Sequence, residues 1–177
     1  MPTPKNIAVT VVLPVYNGEE FLADSIQSVL NQNLQGFEFI IIDDASNDSS
    51  PKIIESFAID KRIRHIVHTT NKGLFETLNE GVELSNSDLI KIWAQDDIMG
   101  YTCLDRLIEA YGKHPECSFY VQSSLTIGGS QKMSALTMET DLKDHQTEIW
   151  QNNKILRHFW YCGNVHRNIS NLSFTKE

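Results

Sequence analysis

Four continuous apolar runs divide the first hundred residues, and each is followed by a segment with helical spacing. The runs cover residues 7–15, 37–42, 63–67 and 89–93. Their richness in β-branched residues is typical of strands that are buried on both faces. Apolar residues recur every three or four positions in the intervening segments, which predicts amphipathic helices. These helices are expected at about 21–30, 49–57, 72–84 and 104–111.

Alternation of strands and helices with short loops predicts a three-layer α/β/α fold around a mostly parallel sheet. In such sheets, ligands bind outside the carboxyl ends of the strands. Polar pairs directly follow three of the predicted strands. They are Tyr16 with Asn17, Asp43 with Asp44, and Asp96 with Asp97. We therefore expect these pairs to converge on one edge of the sheet and to form a ligand site there.

The pattern is weaker after Gly112. A strand is expected at 119–127, a hairpin around Gly128 and Gly129, and a helix at 144–156. Residues 159–174 contain apolar positions without a clear period. The length of 177 residues nevertheless fits one domain, because no linker or internal repeat interrupts the chain.

Composition and charge narrow the class of protein. Hydrophobic residues make up 41% and charged residues 21% of the chain, which is typical of a globular protein. A formal net charge of −8 argues against nucleic acid as a partner, because binding to phosphate backbones needs basic patches. A small phosphate-bearing ligand stays compatible with this charge if a metal ion accompanies it.

Targeting features are also informative. The N-terminal residues lack the pattern of a secretory signal, and no apolar run approaches the ~20 residues of a membrane span. The three cysteines are scattered and form no C-x-x-C motif, which favours a reducing compartment. We expect a cytoplasmic protein, with peripheral association at the cytoplasmic face of a membrane as an open alternative.

Several familiar motifs are missing. The sequence has no G-x-G-x-x-G after its first strand, no G-x-x-x-x-G-K-[ST] and no G-x-S-x-G. These absences argue against dinucleotide cofactors, P-loop chemistry and an α/β-hydrolase. A metal-dependent nucleotidyltransferase would need a loop rich in Gly and Arg or Lys after the first strand, and residues 16–20 do not provide one.

The acidic pairs have two interpretations each. Asp96 and Asp97 suit a hard divalent cation, which prefers oxygen ligands, but they could equally cap the helix that follows. Asp43 and Asp44 could accept hydrogen bonds from a base or ribose, or belong to a capping loop in which Asp48 starts the next helix.

Glycine and lysine stand at the predicted start of the third helix, in Asn71-Lys72-Gly73. Glycine permits a positive φ and a close backbone approach. Amides at a helix start, together with Lys72, are candidates for binding a diphosphate. The alternative is that Gly73, and Gly81 within the helix, serve capping and tight packing of the helix on the sheet.

In order and spacing, these elements resemble the family 2 glycosyltransferases, an inverting group with the GT-A fold. The matching segments begin with V-T-V-V-L-P-V-Y-N-G-E-E-F-L and S-I-Q-S-V-L-N-Q. They continue with F-E-F-I-I-I-D-D-A-S-N-D-S-S, N-K-G-L, L-N-E-G and A-Q-D-D. Each segment is weak alone, but their order from about residue 9 to residue 100 is highly specific.

The resemblance implies roles for individual residues. Pro14 and Tyr16 line a uracil pocket, Asp43 accepts a hydrogen bond from the base, and Asp44 supports that loop. Asn17, Gly73 and Gln95 are further nucleotide-binding candidates. Asp96 takes the place of the metal-binding aspartate of a D-x-D motif, with Asp97 beside it. The implied cofactor is Mn²⁺ or Mg²⁺, which would neutralise the diphosphate leaving group.

Two positions depart from the family pattern. Ala94 stands where D-x-D has its first aspartate. The ribose or metal contact of that aspartate is therefore lost or is supplied by Gln95. Leu78 stands where relatives often carry arginine, which puts one diphosphate contact in doubt.

The implied activity is transfer of a hexosyl or hexosaminyl group from a UDP-sugar to an acceptor hydroxyl on a glycan or lipid-linked acceptor. Cell-surface polysaccharide synthesis is the expected pathway. In this family, the carboxylate that deprotonates the acceptor hydroxyl lies in an E-D-like motif. That motif has no clear match before Glu177. The available carboxylates are Glu139, Asp141, Asp144 and Glu148.

The resemblance divides the single GT-A domain, 1–177, into two parts. Residues 1–100 correspond to the donor-nucleotide half, and 101–177 to an acceptor half that we expect to be incomplete at its C-terminus. The alternative function is therefore a nucleotide-sugar-binding module without turnover.

Overall fold

A central β-sheet organises the computed structural model, which describes residues 7–121 and 172–175. Within these residues the sheet has six strands, in the order β3-β2-β1-β4-β6-β5. They are β1 (Val9–Val15), β2 (Phe37–Asp43), β3 (Ile63–Val67), β4 (Leu89–Ile92), β5 (Phe119–Val121) and β6 (Leu172–Thr175). The first four strands run parallel, and β6 runs antiparallel to both β4 and β5. The prediction of a mostly parallel sheet is confirmed.

Helices connect the parallel strands and cover both faces of the sheet. They are α1 (Leu22–Leu30), α2 (Ser50–Phe57), α3 (Leu74–Leu84) and α4 (Cys103–Lys113). Apolar residues of α1, α2 and α4 share one buried cluster with alternate residues of β1 and β2. Residues of α3 form a second cluster with Val12, Ile90 and Ile92 on the opposite face. None of the described helices has the length and apolar content needed to cross a membrane.

The element boundaries differ from the predictions by one or two residues. β1 begins at Val9 instead of residue 7, α2 begins at Ser50, and α3 begins at Leu74 instead of residue 72. The shift at α3 matters, because Lys72 and Gly73 lie in the preceding loop. Gly73 has a φ of 87°, which a helix cannot accommodate.

The weakly patterned end of the chain contributes one strand that the sequence did not predict. β6 begins within the segment 159–174 that showed no period and ends one residue beyond it, and it completes the sheet beside β4. Only residues 119–121 of the strand predicted at 119–127 are described, as β5. The hairpin at Gly128 and Gly129 and the helix at 144–156 lie outside the described residues.

Gly81 allows α3 to approach β1 closely. A Cβ atom at this position would lie 2.3 Å from Cγ1 of Val12, a distance at which the neighbour must move. Val12 is fully buried in the middle of β1 and cannot move freely. The packing interpretation of Gly81 is therefore confirmed.

We expect Gly81→Ala to lower the free energy of unfolding by about 1–3 kcal/mol, because the added methyl group overpacks the contact between α3 and β1. Gly112→Ala is the matched control, since Gly112 also lies in a helix but has open space where its Cβ would be. It should raise the stability by up to about 1 kcal/mol, because alanine favours helix. Urea denaturation measures the free energy of unfolding of both variants. Equal changes in Gly81→Ala and Gly112→Ala would contradict the packing role of Gly81.

Candidate functional site

The sheet order brings the three polar pairs to one edge. β1 lies between β2 and β4, all three strands are parallel, and their carboxyl ends are therefore neighbours. The backbone amide of Asp44 donates to the carbonyl of Val15 over 2.8 Å, which joins the exits of β2 and β1. The expected convergence on one edge is confirmed, and we call this region the carboxyl edge.

Side chains join the two loops that leave β1 and β2. The amide of Asn17 donates to Oγ of Ser46 over 3.0 Å, and the amide of Asn47 donates to Oδ1 of Asn17 over 2.8 Å. The amide of Gly18 donates to Oγ of the buried Ser50 over 2.9 Å. Backbone groups of one loop are thus satisfied by side chains of the other, so the two loops hold each other in place.

A reciprocal pair of acidic residues extends this connection. Asp48 accepts the amide of Glu19 over 3.0 Å, and Glu19 accepts the amide of Ser49 over 2.8 Å. Burial alone would raise the pKa of Asp48, but hydrogen bonds from Ser50 and Glu19 outweigh it and lower the pKa. The sequence predicted Asp48 as the N-cap residue of α2, but the N-cap residue is Ser49. Asp48 lies one residue before Ser49 and accepts the amide of Ser50.

Two residues at this edge have left-handed backbone conformations. Asn17 has a φ of 50° and Ala45 a φ of 63°. Asparagine tolerates this region, but alanine does so only at a cost of roughly 1–2 kcal/mol. The cross-loop hydrogen bonds offset this cost and preserve the shape of the edge.

Gln95 clamps the backbone of Tyr16. The Tyr16 amide donates to Oε1 of Gln95 over 2.9 Å, and Nε2 of Gln95 donates to the Tyr16 carbonyl over 3.2 Å. Because the Tyr16 amide can only donate, this pair fixes which end of the carboxamide is oxygen. Tyr16 is 46% exposed, so a ligand can reach it. Gln95 therefore positions Tyr16 through its backbone.

Pro14 and Asp43 form the buried floor of the edge. Pro14 is buried in β1 opposite Ile42, and Asp43 closes β2 with 1% exposure. One carboxylate oxygen of Asp43 accepts the amide of Ser46 over 3.1 Å.

Asp44 organises the loop that leads into α3. Its Oδ1 accepts the amide of Lys72 and its Oδ2 accepts the amide of Gly73, both over 2.8 Å. Its Oδ1 also lies 2.7 Å from Nδ1 of His68. Burial alone would raise the pKa of Asp44, but the hydrogen bonds from His68, Lys72 and Gly73 prevail and lower it. Asp44 is therefore an ionised acceptor that fixes Gly73 at this edge.

His68 and Glu80 continue the same network. Nε2 of His68 lies 3.0 Å from Oε2 of Glu80, and Nζ of Lys72 donates to that oxygen over 2.7 Å. The bond from Lys72 lowers the pKa of Glu80 despite partial burial, and the charge of His68 adds to the effect. Two amides and the lysine that were candidates for a diphosphate are thus engaged within the protein.

Asp96 and Asp97 follow β4 at the same edge. Asp96 is exposed and Asp97 is half-buried. The alternative that this pair caps the next helix is wrong, because the cap residue of α4 is Thr102. Lys91 is buried in β4, and burial lowers its pKa to about 8 against the opposing influence of Cys103 and Asp97.

Asp96 and Asp97 fit a divalent cation that takes most of its ligands from water and from substrate phosphates. Within the described residues, no group of three His, Cys, Asp or Glu side chains is placed to hold a metal by itself. Magnesium-like ions commonly bind through one or two carboxylates together with substrate phosphates. The exposed Asp96, with Asp97 next to it, meets that requirement.

His68 and Glu80 were missed by the sequence analysis. His68 lies one residue beyond β3, so the rule that placed the other candidates at the carboxyl ends of strands also applies to it. Its attachment to Asp44 spans 24 positions and leaves no local pattern.

We expect Gln95→Ala to speed hydrogen exchange of the Tyr16 amide by about tenfold, because that amide loses its acceptor. The control is Gln35→Ala, which also removes a carboxamide bonded to backbone carbonyls but lies away from Tyr16. Exchange followed by NMR gives both rates. An unchanged rate at Tyr16 in Gln95→Ala would contradict the clamp.

Two curated relatives resemble the chain over most of its length. A glycosyltransferase of Haemophilus influenzae is 31% identical over 140 residues, which cover 73% of this chain and 56% of that protein. TuaG of Bacillus subtilis, a glycosyltransferase provisionally named for teichuronic acid biosynthesis, is 29% identical over 112 residues, covering 63% of this chain and 44% of TuaG. The chain thus spans about half the length of these relatives.

Two proteins of known structure share the fold. Residues 1–349 of S. aureus TarS match with a TM-score of 0.68 and 17% identity, covering 94% of this chain and 46% of that one. The complex of TarS with UDP-GlcNAc matches with a TM-score of 0.61 and 20% identity, covering 71% and 37%. The mannosyltransferase PcManGT of Pyrobaculum calidifontis, in complex with GDP-Man and Mn²⁺, matches with a TM-score of 0.59 and 20% identity, covering 71% and 38%.

The likeness to TarS confirms the predicted GT-A fold. The family model for glycosyl transferase family 2 matches residues 10–173, a range that begins in β1 and ends in β6. Since this range contains the whole carboxyl edge and most of the sequence, the chain belongs to glycosyl transferase family 2.

Proposed function

We propose that the carboxyl edge binds a nucleoside-diphosphate sugar, with UDP as the nucleotide, and serves the inverting transfer of its sugar to an acceptor hydroxyl. The observation that carries the proposal is the convergence of Tyr16, Asp43 and Asp96 at the ends of three adjacent strands. Membership of glycosyl transferase family 2 supports this use of the edge. The UDP-GlcNAc complex of TarS, which shares the fold, adds fold-level support.

Tyr16 and Asp43 receive the base in this proposal. The half-exposed ring of Tyr16 offers a stacking surface, and its position is set by the clamp from Gln95. Asp43 accepts a hydrogen bond from uracil, which presents an N–H donor, while Pro14 and Asn17 complete the pocket wall. Asp43 is the last residue of β2, and Tyr16 directly follows β1. Because neither lies on a free loop, little conformational entropy is lost when the base binds.

Asp44 and Gly73 act on the other side of the nucleotide. Asp44 holds Gly73 through the amide hydrogen bond, and the chain turns there into α3. The first amides of a helix have no partner within the helix and are suited to an anionic ligand. Gly73 has open space around its Cβ position, so a ligand can approach its backbone.

Asp96, with Asp97 beside it, holds the divalent cation, Mn²⁺ or Mg²⁺. When bound, the cation supplies positive charge that offsets the diphosphate leaving group. This also reconciles an anionic substrate with a chain whose formal net charge is −8. The Mn²⁺ in the PcManGT complex is in keeping with this assignment.

The acceptor side of the reaction needs a base that removes the proton of the attacking hydroxyl. The hydroxyl oxygen then bonds to the anomeric carbon on the face opposite the diphosphate, the bond from that carbon to the diphosphate breaks, and the configuration inverts. The candidate carboxylates Glu139, Asp141, Asp144 and Glu148 lie outside the described residues. The base is therefore left unassigned.

The proposed setting is synthesis of a cell-surface polysaccharide from a hexosyl or hexosaminyl donor. Support comes from the name of TuaG, which refers to teichuronic acid biosynthesis. We place the donor-binding half in residues 1–100 and the acceptor, a glycan or lipid-linked sugar, on residues 101–177. Nucleotide sugars are cytoplasmic metabolites in this setting, so we propose action in the cytoplasm or at the cytoplasmic face of the membrane.

Titration calorimetry with UDP and Mn²⁺ tests the donor site. We expect saturable binding by the wild type and at least about tenfold weaker Mn²⁺-dependent binding by Asp96→Asn, because a cation ligand is lost. Asp88→Asn is the matched control: Asp88 is also exposed but precedes β4 at the opposite end of the strand. It should bind UDP as the wild type does.

Each negative result removes a different part of the proposal. If the wild type does not bind UDP, the donor site is wrong. If Asp96→Asn binds UDP as tightly as the wild type does, the cation assignment is wrong. If UDP-sugar binds but neither transfer nor donor hydrolysis occurs, the chain is a binding module, the alternative derived from its sequence.

A further inference from the structure

His68 lies buried between two carboxylates. Its side chain is 3% exposed, with Asp44 at 2.7 Å from Nδ1 and Glu80 at 3.0 Å from Nε2. Burying a charged group is costly when it is not paired, so the ring is a favourable partner for the buried carboxylate of Asp44.

The two contacts place an ionised acceptor at each ring nitrogen. Hydrogen bonding lowers the pKa of both Asp44 and Glu80, so each is an acceptor without a proton to donate. A hydrogen bond between the ring and either carboxylate therefore has the ring as its donor. Glu80 has a second donor in the ammonium of Lys72, whereas Asp44 is bonded to the ring and to two backbone amides.

The ring also limits how Asp44 can rotate. Oδ1 of Asp44 is shared by His68 and the amide of Lys72, and Oδ2 is bonded to the amide of Gly73. The backbone at His68 is held as well, because its amide donates to the carbonyl of Asp43 over 2.8 Å. The ends of β2 and β3 and the start of α3 are thus joined at one carboxylate.

His65, which lies in β3, shows what a packing histidine looks like three positions before His68. Its Nε2 is buried and has no hydrogen-bond partner among the described residues. Burial lowers the pKa of His65, despite the opposing charges of Asp43 and Glu55, so the neutral ring is favoured. The two histidines therefore have different surroundings, and His68 is the one that contacts carboxylates at the carboxyl edge.

We propose that His68 is a positioning residue for donor binding, which acts by orienting Asp44 so that the loop of Lys72 and Gly73 presents the first amides of α3 to the nucleotide diphosphate. This inference rests on the proposed function, since it assumes that the donor occupies the carboxyl edge. His68 does not touch the donor; it acts through the carboxylate that holds the amides of the loop.

Two variants separate positioning from simple space filling. The side-chain nitrogen of asparagine lies near the place of Nδ1, so His68→Asn keeps a donor for Asp44 and loses the one for Glu80. The side-chain nitrogen of glutamine lies near the place of Nε2, so His68→Gln keeps the donor for Glu80 and loses the one for Asp44. Glutamine fills the buried space better than asparagine, so a packing role predicts the opposite order of effects.

The experiment measures UDP affinity by calorimetry in the presence of Mn²⁺, and hydrogen exchange of the Lys72 and Gly73 amides by NMR. We expect His68→Gln to bind UDP about tenfold more weakly and to exchange both amides faster, because Asp44 loses its side-chain donor. His68→Asn should stay within about threefold of the wild type in both measurements. His65→Gln is the control and should leave UDP affinity unchanged.

The possible failures can be told apart. If the wild type binds UDP and His68→Gln binds it equally well, or better than His68→Asn does, the positioning role is wrong. If the wild type binds no UDP, the proposed function is wrong and the donor role of His68 falls with it. In that case the exchange rates of the Lys72 and Gly73 amides still show whether the ring of His68 orders their loop. Failure of the positioning role and failure of the proposed function therefore give different results.

Discussion

Burial of β1 on both faces is the constraint on which the rest of this structure depends. All seven residues from Val9 to Val15 are buried, with β2 and β4 on either side. Groups in the middle of such a strand cannot meet a ligand, and polar chemistry is therefore displaced to its carboxyl end. Parallel pairing brings the ends of the two neighbouring strands to the same place. The tight contact between Val12 and Gly81 shows how closely α3 seals this strand from solvent.

The carboxyl edge is built largely from hydrogen bonds between side chains and backbone groups. Ser46, Asp48, Ser50 and Gln95 satisfy amides of the loop after β1, and Asp44 satisfies amides of the loop before α3. These bonds fix loops that carry left-handed residues such as Ala45. A site whose backbone is fixed before the ligand arrives loses little entropy on binding, which suits recognition of a flexible nucleotide.

Much of this arrangement can be predicted from the sequence, because burial leaves a periodic pattern. The runs at 37–42 and 63–67 became β2 and β3 almost unchanged, and the acidic pairs were expected at the edge where they lie. Contacts between distant segments could not be predicted in the same way. The link between Asp44 and His68 spans 24 positions, and the strand β6 follows 50 residues after β5 without a clear pattern of its own. The helix start at Leu74 depends on Asp44 holding Gly73, which propensity alone does not reveal.

Binding of the donor nucleotide and its cation at the carboxyl edge can be tested by a crystal structure of the chain with UDP and Mn²⁺, in which anomalous scattering locates the manganese. We expect a manganese peak bound to Asp96 and the diphosphate, with uracil against Tyr16 and Asp43. A well-ordered nucleotide bound elsewhere, or a manganese peak remote from Asp96, would show that the edge is not the donor site.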